Sequence, residues 1–234
     1  QMGMMNAFNA YRAYGMEEFM GAEVLGLSKS WCDISDDLMY AKLAEVRERL
    51  LSVSGQPLFL FMATINNHGP HGKHCARQEN VVSAGDAPEL QLRKMVEDYI
   101  QRSRAADQAS RRFRDLVLNS NRPSAILVFG DHQPSFEGLA EKIPRLPHRP
   151  MSNKEALSFS SYQFFSNVDN GSPPISKELD VMFLPSTLLE LARLPLGPVF
   201  DSNRRLRILC DGRLDKCPGG GFLDSYREHL AATG

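Results

Sequence analysis

The sequence predicts an α/β protein with helices on both faces of a sheet, and two observations carry that reading. Short apolar runs rich in β-branched and aromatic residues, at 57–65, 125–130, 161–168 and 180–184, have the length and composition of buried strands. Amphipathic stretches at 36–51, 89–118 and 186–194 alternate with them. Strand and helix patterns that take turns along one chain indicate a layered α/β architecture.

Each element has a local reason. The first helix begins after Ser35, whose hydroxyl suits an N-cap, and Leu38, Ala41, Val46 and Leu50 fall near one face. Gly55-Gln56-Pro57 then breaks the chain ahead of Leu58-Phe59-Leu60-Phe61-Met62-Ala63-Thr64-Ile65. Residues 66–88 form a loop rich in His, Gly and Asn. The helix over 89–118 has Leu92, Met95, Val96, Tyr99, Ile100, Phe113, Leu116 and Val117 as its apolar positions. Arg102, Arg104, Arg111, Arg112 and Arg114 are read as its solvated face. The strand Ile126-Leu127-Val128-Phe129 ends at Gly130, where the backbone can turn. Residues 133–157 are Pro-rich and basic and are expected to cross the mouth of a site. Residues 197–234 are expected to be peripheral, and no internal repeat is evident.

Composition bounds the function. The 234 residues are 42% hydrophobic, enough for one good-sized core. Lys plus Arg number 27 and Asp plus Glu 28, so no general charge draws the chain to nucleic acid. No stretch is long and apolar enough to span a bilayer, and no signal peptide is visible. Cys210 and Cys217 frame a short loop that a disulfide can close, and Cys32 and Cys75 are the other two cysteines. An even count suits an oxidising compartment, although four cysteines permit three connectivities and four ordinary thiols are the alternative. With no C-x-x-C pair, a zinc knuckle is disfavoured.

The chemistry-bearing residues follow the strands. Asp131 and His132 come directly after Gly130, at a strand's carboxyl end, where open α/β folds place ligands. A carboxylate oxygen beside an imidazole nitrogen suits a divalent metal such as Zn or Mn. The run 58–65 leads likewise into Asn66-Asn67-His68-Gly69-Pro70-His71. His71 and His74 stand at i, i+3, but Gly69, Pro70 and Gly72 argue against a helix there, and both are read as exposed loop residues that can touch substrate. His148 and His229 have no supporting context and are read as structural.

Thr64-Ile65-Asn66-Asn67-His68-Gly69-Pro70, a long helix, and Val128-Phe129-Gly130-Asp131-His132 in that order resemble the sulfatase-like branch of the alkaline phosphatase superfamily. The likeness is greatest to the envelope phosphoglycerol and phosphoethanolamine transferases, including lipoteichoic acid synthase-like enzymes. Tyr11–Phe19 is similar to a segment those enzymes carry after the nucleophile region. Ser30-Trp31-Cys32-Asp33-Ile34-Ser35-Asp36-Asp37 resembles their WG-x-SDE stretch, with Cys32 and one extra residue as departures. Tyr162–Asn167 resembles a later strand, and Asp180–Leu189 a D-x-x-PTLL helix start.

The resemblance implies an α/β/α sandwich with a mixed, mostly parallel sheet, of which residues 1–195 form the C-terminal part and 196–234 a peripheral extension. It implies that Asp131 and His132 are metal ligands, for Mn, Zn or Mg with Mn or Zn favoured. It further implies that His68 is catalytic and contacts the substrate phosphate or leaving group, with Asn67 and His71 beside it in substrate binding. An imidazole can donate to a phosphoryl oxygen or protonate a departing alkoxide near neutral pH. The implied substrates are phospholipids or glycans of a bacterial envelope, the compartment is the periplasm or the outer face of the inner membrane, and the parent protein is membrane-anchored through other segments.

The departures are informative. The family's first metal carboxylate and its nucleophile lie in an N-terminal half that nothing here matches, and Cys75-Ala76-Arg77-Gln78-Glu79 does not fit the sulfatase motif C-x-P-x-R. The chain is therefore expected to be part of a larger catalytic domain, or else a remnant without chemistry of its own. Met5 and Ala7 stand where lipoteichoic acid synthase-like enzymes carry a glycerophosphate-binding Trp and Arg. This speaks against polyglycerolphosphate synthesis and leaves open phosphoethanolamine transfer, another phosphodiester transfer and sulfate-ester hydrolysis. The reading from a different class is a non-catalytic domain that binds a glycan or protein through the 133–150 loop.

Overall fold

A computed structural model describes residues 7–13, 15–27, 34–72, 88–134, 136, 159–168, 177–218 and 228. Expectations for Met5, Ser30–Asp33, His74, Cys75, most of the 133–157 loop, His148 and His229 lie outside the described residues. The chain divides into two compact units. Among the described residues, the first runs to Phe113 and includes Pro134 and Phe136; the second takes Arg114 to Gln133 and residues 159 onward.

The first unit holds α1 (Ala7–Ala13), α2 (Asp36–Val53) and most of α3 (Pro88–Leu118). Ser35 caps α2 by accepting the Leu38 N–H at 3.3 Å, while Asp36 and Asp37 occupy the first turn, where the helix dipole favours acids. The inward face of α2 is not the expected one. Leu38 and Ala41 are exposed, and Asp36 and Arg47 are the buried residues. Tyr40 packs on Phe113 of α3 with ring centres 5.4 Å apart, and Arg112 pairs with Asp37. On α3, Met95, Asp98, Arg102 and Ala109 are buried at helical spacing, so one stripe faces inward as amphipathicity predicts. Arg102 belongs to that stripe, which corrects its assignment to the solvated face; Arg104, Arg111 and Arg112 are exposed as expected.

Residues 57–65 form no strand among the described residues, a correction to the expected second element. Leu58, Phe59 and Phe61 are exposed. A strand exists only where a neighbour completes its ladder, and among the described residues the run has none.

The second unit contains the one sheet seen among the described residues, β1 (Ala125–Phe129) and β2 (Tyr162–Ser166). They pair antiparallel, Ala125 opposite Ser166 and Phe129 opposite Tyr162, whereas a mostly parallel sheet was expected. The Gly130 N–H donates to the Ser161 carbonyl at 3.0 Å and the Asn167 N–H to that of Ser124 at 3.1 Å, so the ladder continues one step past each end. The segment 180–184 is a further correction. It forms a 3-10 turn (Val181–Phe183) leading into α4 (Leu184–Leu191), with Pro185 in the first turn, where its missing N–H costs nothing.

The core of this unit is Phe183, Leu206 and Cys210, all essentially inaccessible, with Leu179, Met182, Leu214 and Cys217 against them. Leu206 lies on α5 (Pro198–Leu209), and Cys210 bonds to Cys217. Residues 198–217 therefore build a core instead of lying at its periphery. The Ser186 hydroxyl donates to Asn203 Oδ1 at 2.6 Å and Asn203 Nδ2 donates to the Met182 carbonyl at 3.1 Å, joining α4 to α5. No helix among the described residues is long and apolar enough to cross a membrane.

Candidate functional site

Asp131 and His132 are placed by β1. Their side chains are 84% and 66% exposed, so both can meet a ligand from solvent. Gly130 has no positive φ; what it supplies is room. A Cβ on it would lie 2.3 Å from Ser160 Oγ and 3.7 Å from Ser160 Cβ, so the hydroxyl as placed fits against a residue without one. The His132 N–H donates to Asp131 Oδ1 at 2.9 Å, and the ring Nδ1 stands 3.0 Å from the Gln133 carbonyl. A carbonyl only accepts, so Nδ1 carries the proton and Nε2 is the basic nitrogen. Nε2 lies 3.5 Å from Asp131 Oδ2.

Two acceptors at that separation are stabilised by a proton or a cation between them. The donor atoms of two ligands on one tetrahedral zinc sit about 3.4 Å apart, and metal-binding histidines commonly donate their other ring N–H to a carbonyl. The pair therefore fits a divalent metal, as part of a shell: among the described residues no third His, Cys, Asp or Glu joins it.

The second group lies in the first unit, on the loop 65–72. His68 is exposed, its N–H donates to the Ile65 carbonyl at 3.0 Å, and its Nδ1 lies 2.6 Å from the Gly69 carbonyl. By the same argument Nδ1 is the donor and Nε2 the nitrogen that takes up a further proton. Asn67 is half-buried, and its Oδ1 accepts no hydrogen bond among the described residues.

His71 is only 4% exposed, which corrects the expectation of an exposed ring. It packs edge-on against Tyr99 at 5.3 Å and against Phe136 at 5.6 Å. Burial, followed by the Arg102 charge, holds its pKa below the usual imidazole range despite Asp98 Oδ2 at 3.9 Å. The ring is a neutral wedge.

Three buried charged residues that the sequence reading did not select hold this loop. Asp98 Oδ2 accepts the Gly72 N–H at 2.7 Å. Arg102 donates from Nε to Asp98 Oδ1 at 3.0 Å and from Nη1 to the carbonyls of Asn66 at 3.2 Å and His68 at 3.3 Å. Asp36, 2% exposed, accepts a backbone hydrogen bond from Asn66, while its Oδ1 has no partner among the described residues. Burial pushes the Asp36 carboxyl up to about 6, the Asn66 bond opposing and the Asp37 charge assisting. The i, i+4 spacing of Asp98 and Arg102 was the available sequence signal.

Against known proteins, the sulfatase family model matches residues 1–193. An uncharacterised protein of Haemophilus influenzae is 25% identical over 241 aligned residues, covering 99% of this chain and 42% of that protein. A Rhizobium meliloti protein named "Putative cyclic beta-1,2-glucan modification protein" is 25% identical over 130 residues, covering 55% of this chain and 20% of that one. The chain thus spans less than half the length of these curated relatives. Among solved structures, Streptococcus pyogenes phosphoglycerol transferase GacH, in complex with sn-glycerol-1-phosphate, has a similar fold. Its TM-score is 0.62 at 18% identity, over 98% of this chain and 57% of that one. With the family model spanning most of the sequence, the chain belongs to the sulfatase family.

Proposed function

We propose that the chain is the C-terminal part of a metal-dependent phosphotransferase domain of phosphoglycerol or phosphoethanolamine type, acting on envelope glycans or lipids outside the cytoplasm. The observation that carries this is the pair Asp131 Oδ2 and His132 Nε2, two exposed acceptors 3.5 Å apart with the His132 tautomer fixed by Gln133. The complete domain is read as an α/β/α sandwich with a mostly parallel sheet, its remaining ligand and its nucleophile coming from an N-terminal half.

In this reading Asp131 and His132 hold Mn or Zn. When bound, such an ion neutralises phosphoryl charge and keeps a hydroxyl nucleophile deprotonated. His68 contributes Nε2 on the substrate side: as imidazolium it donates to a phosphoryl oxygen or to the departing alkoxide. Asn67 supplies an amide beside it for substrate contact. His71, being buried, is assigned to the packing beneath the loop and not to substrate.

Calorimetric titration of the chain with Mn and with Zn tests the metal pair. Weak binding lost in both Asp131→Ala and His132→Ala is expected; binding indifferent to both replacements overturns the assignment. For His68, a His68→Gln replacement in the full-length protein is expected to depress phosphodiester transfer by about a hundredfold or more. The family match favours one second reading, sulfate-ester hydrolysis, which release of inorganic sulfate from an aryl sulfate would reveal.

A further inference from the structure

Asp98 and Arg102 are both buried and charged, with side chains 2% and 3% exposed. Removing two charges from water is costly, and an apolar pair would fasten a helix to a loop at least as well. What an apolar pair lacks is direction. A guanidinium is a rigid planar fork that presents several donors at fixed angles. Here Nε and Nη2 grip the two oxygens of Asp98, at 3.0 and 2.9 Å, which sets the plane. Nη1 is thereby aimed at the carbonyls of Asn66 and His68. The Asp98 carboxylate also takes the Gly72 N–H, so residues 66, 68 and 72 are tied to one turn of α3.

Between those ties sits His68, whose ring is outside while its backbone is held from within. Its Nδ1 bonds to the carbonyl of the next residue, so the direction of Nε2 follows the backbone. The other ring beneath the loop, His71, is neutral and does not compete with Arg102 for the Asp98 charge.

We propose that Arg102, gripped by Asp98, is a positioning residue that fixes the backbone of Asn66–His68 and thereby sets the direction and tautomer of the His68 imidazole toward a phosphoryl oxygen. The inference rests on the role given to His68 above. It adds that the histidine's competence depends on a guanidinium 34 residues further along the chain.

The test is nitrogen-15 NMR of the His68 ring and amide exchange over 66–72, on the full chain and on Arg102→Met, Arg102→Lys and Asp98→Asn, with thermal unfolding in parallel. Wild type is expected to show the Nδ1–H tautomer at His68. In folded Arg102→Met that tautomer should give way to a mixture, and the His68 and Gly72 amides should exchange about tenfold faster. Arg102→Lys, keeping charge but not the fork, should recover only part of the effect. A merely structural Arg102 lowers the melting temperature and leaves the His68 ring spectrum of the folded protein unchanged; that result overturns the proposal. Should Arg102→Met not fold, the same two readouts on Arg102→Lys decide, and wild-type values there overturn it. The outcomes are separable from the role of His68 itself. Unimpaired transfer by His68→Gln removes the chemical role and leaves the NMR result standing, whereas an unchanged ring in Arg102→Met removes the positioning alone.

Discussion

Arg102 Nη2 stands 2.9 Å from Asp98 Oδ2, one helical turn away, with both side chains almost fully buried. The relationship is asymmetric in its consequences. Asp98→Ala leaves a buried guanidinium facing carbonyls and the Gly72 N–H without its acceptor. Breaking such a pair from one side costs about 3–5 kcal/mol. Replacing both partners, as Asp98→Leu with Arg102→Met, should cost less than the worse single variant, because no charge is stranded and only the Gly72 N–H and the two carbonyls lose their partners. Urea unfolding of the two single variants and the double variant measures this. A single-variant loss below about 1 kcal/mol would mean that the pair is solvated in solution.

Asp36 makes stability depend on pH. Its carboxyl titrates at about 6 in the folded protein, against 3.8 as the ordinary value, because burial disfavours the charged form. A raised acid binds its proton more tightly when folded. Its stabilising contribution is therefore fully present below about pH 4 and is lost as pH rises through about 6. Asp36→Asn keeps an oxygen for the Asn66 N–H and removes the charge, so it should gain stability relative to wild type above pH 6 and flatten that part of the profile. Urea midpoints of the two proteins from pH 4 to 8 give the comparison; parallel curves would show that Asp36 titrates normally.

These two residues also mark where the sequence was and was not legible. α2 and α3 follow from signals adjacent in the chain, the Ser35 cap and a long amphipathic run, and the structure extends the expected helices by only a residue or two. β1 and β2 follow from apolar runs that find each other. Leu58–Ile65 has the same composition, but composition cannot say whether a partner strand lies alongside, and among the described residues none does. At 180–184 the Pro185 signal for a helix start outweighed the apolar run. Asp131 and His132 were legible as a pair because their chemistry is contiguous. The support beneath His68 was not. Arg102 reads as one of six arginines on α3, and only contacts to carbonyls 34 and 36 residues away distinguish it.

Asn167 connects the end of α3 to β1. Its Oδ1 accepts the Ser124 N–H at 2.7 Å, and its Nδ2 donates to the carbonyls of Leu118 and Arg122, each at 3.0 Å, and of Ser120 at 3.3 Å. Asn167→Ala should cost about 1–3 kcal/mol, the range for groups left unsatisfied in a half-buried site. Asn167→Asp discriminates further. It keeps the acceptor for Ser124 but points a carboxylate at three carbonyl oxygens, so its pKa must rise. It should therefore be at least as damaging as alanine at pH 7.5 and recover toward pH 5, where a protonated carboxyl can donate one bond. Urea midpoints of both variants at the two pH values are sufficient, and an Asn167→Asp stability that does not improve on acidification would show that Nδ2 donation is dispensable.

Gly130 and Ser160 link the strand ladder to Asp131 and His132, the pair proposed to hold a metal. A Cβ at Gly130 meets Ser160 Oγ at 2.3 Å but Ser160 Cβ only at 3.7 Å, so the conflict is with the hydroxyl alone. Gly130→Ala must rotate that hydroxyl or push the end of β1 away from Ser161, whose carbonyl takes the Gly130 N–H. A cost of about 1 kcal/mol is expected for this degree of overpacking. Any displacement falls on Asp131, the next residue, so Mn binding should weaken with it. Ser160→Ala removes the obstructing atom, and the double variant should regain both stability and Mn affinity, giving a coupling of about 0.5 kcal/mol or more between adjacent sites. Unfolding and calorimetry on the two single variants and the double variant close the cycle. If Gly130→Ala alone keeps both wild-type stability and wild-type Mn affinity, the glycine serves neither the strand end nor the pair beyond it.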